Sequence, residues 1–89
     1  MKLYDSIIKF YKIHKYKKEY LSILGMALGL DHSSIPYKNH HSLHLNSSDF
    51  KYLTELESYG YIKTYQRTVR YVYYYVTDDG KKFIQTKNE

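Results

Sequence analysis

The chain has no cysteine, no tryptophan, a single proline and only four glycines in its 89 residues. Without cysteine, neither a disulfide framework nor a thiolate metal site is available. Long apolar runs are missing as well. The longest weakly polar stretch, residues 20–30, holds Ser22 and two glycines and is too short to span a bilayer. The start of the chain meets Lys2 at once and has no apolar core, so no signal peptide is read and no membrane partner is expected. A cytoplasmic (intracellular) location follows as the expectation. There is no nucleophile elbow, no phosphate-binding glycine loop and no paired-carboxylate arrangement in a plausible cleft. Catalysis is therefore not expected, and no cofactor is implied. At this length the chain makes one domain, residues 1–89, burying only about 60–65% of its unfolded surface.

What is present is positive charge and tyrosine. The net charge of +5 invites a polyanionic partner. Its distribution says more: residues 1–20 carry +4, residues 21–45 balance, residues 46–60 carry −2 and residues 61–89 carry +3. Thirteen tyrosines stand beside three phenylalanines, a usage that fits an A/T-rich coding sequence such as those of viruses, plasmids and some archaea. Each tyrosine offers a large apolar face with one polar handle.

The periodicity predicts an α+β fold that is mainly α. Residues 1–30 form a helical region: Leu3, Ile7, Phe10 or Tyr11 and His14 recur at helical spacing, with Lys9, Lys12 and Lys15 on the remaining arc. A second pattern follows in Tyr20, Leu21, Leu24, Ala27 and Leu28, with Gly29 a natural stop. The junction His14–Lys18 lacks glycine and proline, so one bent helix or two remain open. Ser34 before Ile35-Pro36 reads as a helix start, giving a short helix from Ile35 to about His41. Asn46, Ser47 and Ser48 offer another N-cap, opening a helix over residues 47–59 that Gly60 ends.

After Gly60 the period becomes two. Residues 61–66 and 70–77 read as antiparallel strands, with Arg67, Thr68 and Val69 near the tip. Val72, Tyr74 and Val76 share one face of the second strand, and Tyr71, Tyr73 and Tyr75 the other. That tyrosine face could stack on bases, but alternating tyrosines on a strand more often pack. Thr77 caps a final helix over residues 78–86, with Asp78 and Asp79 in its first turn; Lys87, Asn88 and Glu89 are expected to fray.

Four histidines, His32, His40, His41 and His44, invite a metal reading. No cysteine or glutamate in that segment completes a tetrahedral set and no spacing matches a zinc pattern, so no metal is expected. The only two arginines, Arg67 and Arg70, both sit at the hairpin turn, with Lys63 on the incoming strand. Arginine there suits a narrow minor groove or phosphate.

Leu45-Asn46, Tyr52-Leu53-Thr54-Glu55-Leu56, Gly60-Tyr61-Ile62 and Tyr75-Val76-Thr77-Asp78-Asp79-Gly80-Lys81-Lys82-Phe83 together resemble the winged helix-turn-helix family. The likeness is to small transcriptional regulators of compact archaeal, viral and plasmid type. It implies a helix-turn-helix over residues 33–59 with recognition helix 47–59, then a two-stranded wing over residues 61–77. The helix solvent face, Ser47, Ser48, Lys51, Tyr52 and Glu55, would reach bases or phosphates in the major groove. Lys63, Arg67, Thr68 and Arg70 would serve the wing, with Lys38 added from the connecting segment.

The resemblance thus implies a sequence-specific double-stranded DNA-binding protein, a transcriptional regulator acting on A/T-rich or pseudo-palindromic sites. A homodimer is expected through the N-terminal helix or the tyrosine-rich surface. Because the recognition helix is acidic, affinity is expected mainly from the wing and the N-terminal lysines. The alternative is a winged-helix module of a mobile element that binds or inhibits a host protein.

Overall fold

The computed structural model describes residues 3–87; Asn88 and Glu89, expected to fray, and the first two residues of the N-terminal helical region lie outside the described residues. The described residues form α1 (Leu3–Lys15), α2 (Lys17–Leu28), β1 (His41–His44), α3 (Phe50–Ser58), β2 (Ile62–Arg67), β3 (Tyr71–Val76) and α4 (Asp78–Lys87). The three strands make one antiparallel sheet in the order β1-β3-β2, so the domain is α+β and compatible in outline with a winged-helix-like class.

α1 and α2 meet at Tyr16, whose φ of −109° and ψ of 21° bend the path. The helical hydrogen bonding nevertheless crosses the joint, from the Tyr16 amide to the Lys12 carbonyl and from the Tyr20 amide to the Tyr16 carbonyl. α2 ends at Gly29, at φ 82°. Its last four carbonyls, which would otherwise be orphaned, all find donors: Leu30 on Gly25, Gly29 on Met26, His40 on Ala27 and Tyr37 on Leu28.

That arrangement corrects the helix expected from Ile35 to His41. Residues 36–40 form no regular element, and His41 already belongs to β1. The physical reason is a competition for backbone groups. Pro36 pushes Ile35 toward extended conformations, and the amides of Tyr37 and His40 are spent on α2 instead of on a helix of their own. Asn39 then extends the sheet by proxy. Its Nδ2 donates to the Val76 carbonyl at 2.9 Å and its Oδ1 accepts from the Val76 amide at 2.8 Å.

Two further boundaries change. The helix expected over residues 47–59 is Phe50–Ser58, preceded by a turn in which the Ser47 hydroxyl accepts the Asp49 amide. The expected two-stranded wing is part of a three-stranded sheet, because β1 pairs with β3 in the register Leu43 to Val72. β2 pairs with β3 on the other side, with a bulge between Thr64 and Gln66.

The alternation read along β3 holds. Val72, Tyr74 and Val76 are buried and meet Tyr20, Ile23, Leu24, Ala27 and Leu28 of α2 and Leu53 and Leu56 of α3. Tyr74 is wholly enclosed and donates its hydroxyl to the Ile23 carbonyl at 2.9 Å, which satisfies the one polar atom that burial would penalise. Thr77 joins three elements. Its hydroxyl donates to the Gly60 carbonyl at 2.6 Å and accepts the Gly80 amide at 3.1 Å, capping α4 while fastening it to the end of α3.

Candidate nucleic-acid interface

The hairpin carries the basic groups. β2, β3 and their turn contain Lys63, Arg67 and Arg70 and no aspartate or glutamate. All three side chains are exposed, and none makes an ion pair among the described residues. At the tip, Val69 is 92% exposed between the two arginines. Thr68, also exposed, holds the turn together. Its hydroxyl accepts the Tyr71 amide at 2.9 Å and the Arg70 amide at 3.3 Å, so it shapes the turn that presents the arginines.

α3 lies across an open cleft from this hairpin, lined by Phe50, Leu53, Thr54 and Glu57 on one side and Thr64, Tyr65, Gln66, Arg67 and Val72 on the other. Arg67 faces α3 because its partner in the register is Val72, on the core side of the sheet. The Glu57 carboxylate ties the two walls together, accepting the Thr64 hydroxyl at 2.7 Å and its amide at 3.1 Å. Lys51 in the first turn of α3 and Ser48 just before it are exposed, outside the cleft lining, and Ser47 is half-buried.

Two members of the expected reading face are turned elsewhere. Glu55 faces α1 and α2: its carboxylate accepts from Lys12 Nζ at 2.6 Å and from the Tyr20 hydroxyl at 2.8 Å. Tyr52 stacks into the same junction, with ring centroids 5.1 Å from Tyr16 and 6.0 Å from Tyr20. The reason is the 100° step of the helix. Leu53 and Leu56 fix the buried side, and residues 52 and 55 flank it, so both are drawn under the N-terminal helices. Burial, then the hydrogen bonds to Tyr59 and Glu55, drive the Tyr20 hydroxyl far above the ordinary tyrosine range. The Lys12 ammonium is held above its ordinary value by its hydrogen bond and its charge pairing with Glu55.

The same contacts invert α1. Lys12 reaches Glu55, and Lys9 Nζ lies 5.3 Å from the Tyr59 ring and 5.1 Å from the Tyr61 ring, so these lysines face the body. Ile7, Phe10 and Tyr11 are left outside, at 59%, 73% and 63% exposure. Lys9 and Lys12 are thereby occupied within the domain, which corrects the expectation that the N-terminal lysines as a group are available for a polyanion. Lys15, Lys17 and Lys18 are exposed. Lys38 lies in the connecting segment, half-buried beside β1, well separated in sequence from the hairpin.

The histidines separate rather than converge. His41 packs edge-on against Tyr74, while His44 faces the opposite side of β1, 5.1 Å from the Tyr71 ring. Burial, then the nearby Lys38 charge, lowers the His41 pKa from its ordinary 6.5. Among the described residues no group of three or more histidines, aspartates or glutamates is placed to hold a metal ion, and no helix is long and apolar enough to cross a membrane.

Asn39 and Glu57 are the residues the sequence reading missed. Both position the hairpin through contacts with distant backbone, and no local pattern marks them. Comparison with models of protein families, with curated proteins and with solved structures gave no match.

Proposed function

We propose that this protein is a binding protein rather than an enzyme, that it engages double-stranded DNA, and that it does so as a winged-helix type regulator of transcription. The observation that supports this best is the hairpin: three exposed, unpaired cations and no acid between Tyr61 and Thr77. Arg67 and Arg70 flank the tip, where planar guanidinium groups suit phosphate oxygens or a narrow minor groove. Lys63 adds to the basic charge from the other face of β2, and Lys51 carries it onto the end of α3. Ser47 and Ser48 add neutral donors there.

The reading assigns the hairpin the main share of affinity. α3 is short, Glu57 gives its cleft face a negative charge, and the element directly before it is the strand β1 rather than a bracing helix. Sequence selectivity then rests on groove shape as well as on base edges, consistent with A/T-rich targets and their narrow minor groove. A homodimer is part of the same proposal. The exposed Ile7, Phe10 and Tyr11 stripe of α1 offers the apolar surface for it and would set two hairpins against a pseudo-palindromic site.

Fluorescence anisotropy of a labelled A/T-rich duplex tests the proposal. Arg67→Ala with Arg70→Ala should weaken binding about tenfold or more, since hydrogen bonds to charged groups contribute roughly 1.5–3 kcal/mol each. Parental affinity in the double variant would remove the hairpin from the interface. A parent that binds no duplex at low salt, but retains a protein partner, would favour the module that binds a host protein. The exposed α1 stripe is the observation that keeps this second reading open.

A further inference from the structure

The side of the sheet facing away from the helices has no described element on it. α2, α3 and α4 all pack against the face that bears Val72, Tyr74 and Val76. The pairing register sends the alternate residues outward: Tyr71, Tyr73 and Tyr75 from β3, His44 opposite Tyr71, and Lys63 opposite Tyr75. The bulge between Thr64 and Gln66 adds one more. That one is Gln66, opposite Tyr73; alternation alone sets Tyr65 on this face, where its ring lies 6.3 Å from Tyr73 and 6.2 Å from Tyr75. Tyr65 and Tyr71 are 53% and 40% exposed, while Tyr73 and Tyr75 are half-buried between neighbouring rings.

We infer that this outer face is a platform for the unpaired bases of a single-stranded nucleic acid, on the opposite side of the sheet from the cleft between α3 and the hairpin, with Tyr65 the one ring bordering both. Three observations favour that occupant. Tyr65, Tyr73 and Tyr75 form one ring cluster and Tyr71 with His44 a second on the same face, and every base offers a π-face to stack on them, whatever the sequence. The electrostatics match a phosphodiester chain: Lys63 stands on this face opposite Tyr75, Arg70 lies at the rim, and none of the three strands carries an acidic residue. The extent is wrong for a second copy of the chain. Three strands of at most six residues cover about 14 Å by 20 Å, or roughly 300 Å², against the ~800 Å² per partner of a stable protein interface. The same area accommodates two or three bases, as aromatic sheet platforms do. A tyrosine surface of this kind keeps hydroxyls in water when empty, which lets it remain uncovered.

The test uses labelled oligonucleotides of about a dozen nucleotides, one single-stranded DNA and one single-stranded RNA of the same base sequence, with the A/T-rich duplex as comparison. The parent should bind a single strand. Tyr71→Ser with Tyr73→Ser, both outside the cleft lining, should weaken that binding about tenfold or more, while Tyr71→Phe with Tyr73→Phe, which keeps both rings, should bind as the parent does. Both pairs should leave duplex affinity unchanged. Tyr71→Ser alone, at an exposed ring, should weaken single-strand binding several-fold with duplex affinity unchanged, and it keeps the test decisive if the serine pair fails to fold. Binding of DNA alone, RNA alone or both identifies the source of the bases, and each supports the platform.

The inference is overturned if the parent binds neither single strand at low salt. It is equally overturned if the serine pair binds as the parent does, or lowers the mass in solution without touching oligonucleotide affinity. The duplex arm keeps the two ideas apart. Loss of duplex binding in the Arg67→Ala, Arg70→Ala variant concerns the hairpin tip, whereas selective loss of single-strand binding in the serine pair concerns the sheet face.

Discussion

Glu55 shows how much turns on a single side chain. By charge and position on α3 it belongs to a helix face that could meet a partner, yet its two oxygens are committed to Lys12 and Tyr20. Its contribution is chiefly to give the enclosed Tyr20 hydroxyl an acceptor, because the Lys12 end of the ion pair is 40% exposed and screened by water. Glu55→Ala should therefore cost about 1–3 kcal/mol of stability, which urea unfolding would register, and leave duplex affinity where it was. A change in base preference with no loss of stability would return Glu55 to the reading face. His41 gives the pH signature of the same interior. Its folded-state pKa is depressed by burial, so the unfolded chain binds the proton more readily. Stability should be intact above the ordinary 6.5 and fall as the pH drops from there toward the lowered folded value. His41→Gln should flatten that part of a Tm-against-pH curve; an unchanged slope would assign it to other groups.

At the level of elements, the parts legible in the sequence are those whose determinants are local. Thr77 as a cap, Gly60 as a stop and the two-residue period of β3 could all be read from neighbours in the chain, and all are found in the structure. Gly60 sits at φ 81°, where a side chain is strained. Gly80 is constrained differently, by contact. A Cβ there would collide with the Tyr61 carbonyl and the Val76 side chain, so β3 and α4 close on each other only around glycine. Gly80→Ala, usually favourable within a helix, should lower the melting temperature by several degrees, about 4–8 °C per kcal/mol for a domain this size. A rise in Tm would mean that α4 is free to move off the sheet. Elements decided by distant partners were not legible. β1 spans four residues, too few for a clear period, and owes its existence to β3. The segment before it offers proline after serine, a reasonable helix start, but α2's unsatisfied carbonyls take its amides first. The orientation of α1 follows from Lys12 meeting Glu55 across 43 residues of sequence, a pairing that an amphipathic pattern cannot display.

Across the whole molecule, the same distant contacts redistribute the charge. The N-terminal segment is the most basic block of the sequence. Folding occupies Lys9 and Lys12 against the aromatic and acidic side of the domain, and leaves the hairpin as a basic region free of acids. The candidate site was thus half legible. Lys63, Arg67 and Arg70 could be named from the sequence because a turn exposes its charges, whereas the inward rotation of Tyr52 and Glu55 required the packing of α1 and α2. The exposed apolar stripe of α1 and the uncovered tyrosine face are the other consequences, one suited to a second copy and one to bases. The central claim, duplex DNA held mainly by the hairpin cations, is tested most directly by titrating duplex affinity against salt. Four cations, Lys51, Lys63, Arg67 and Arg70, predict a log–log slope of about −3 to −4, reduced by about 2 in the Arg67→Ala, Arg70→Ala variant. A slope near zero, or the same slope in parent and variant, would contradict it.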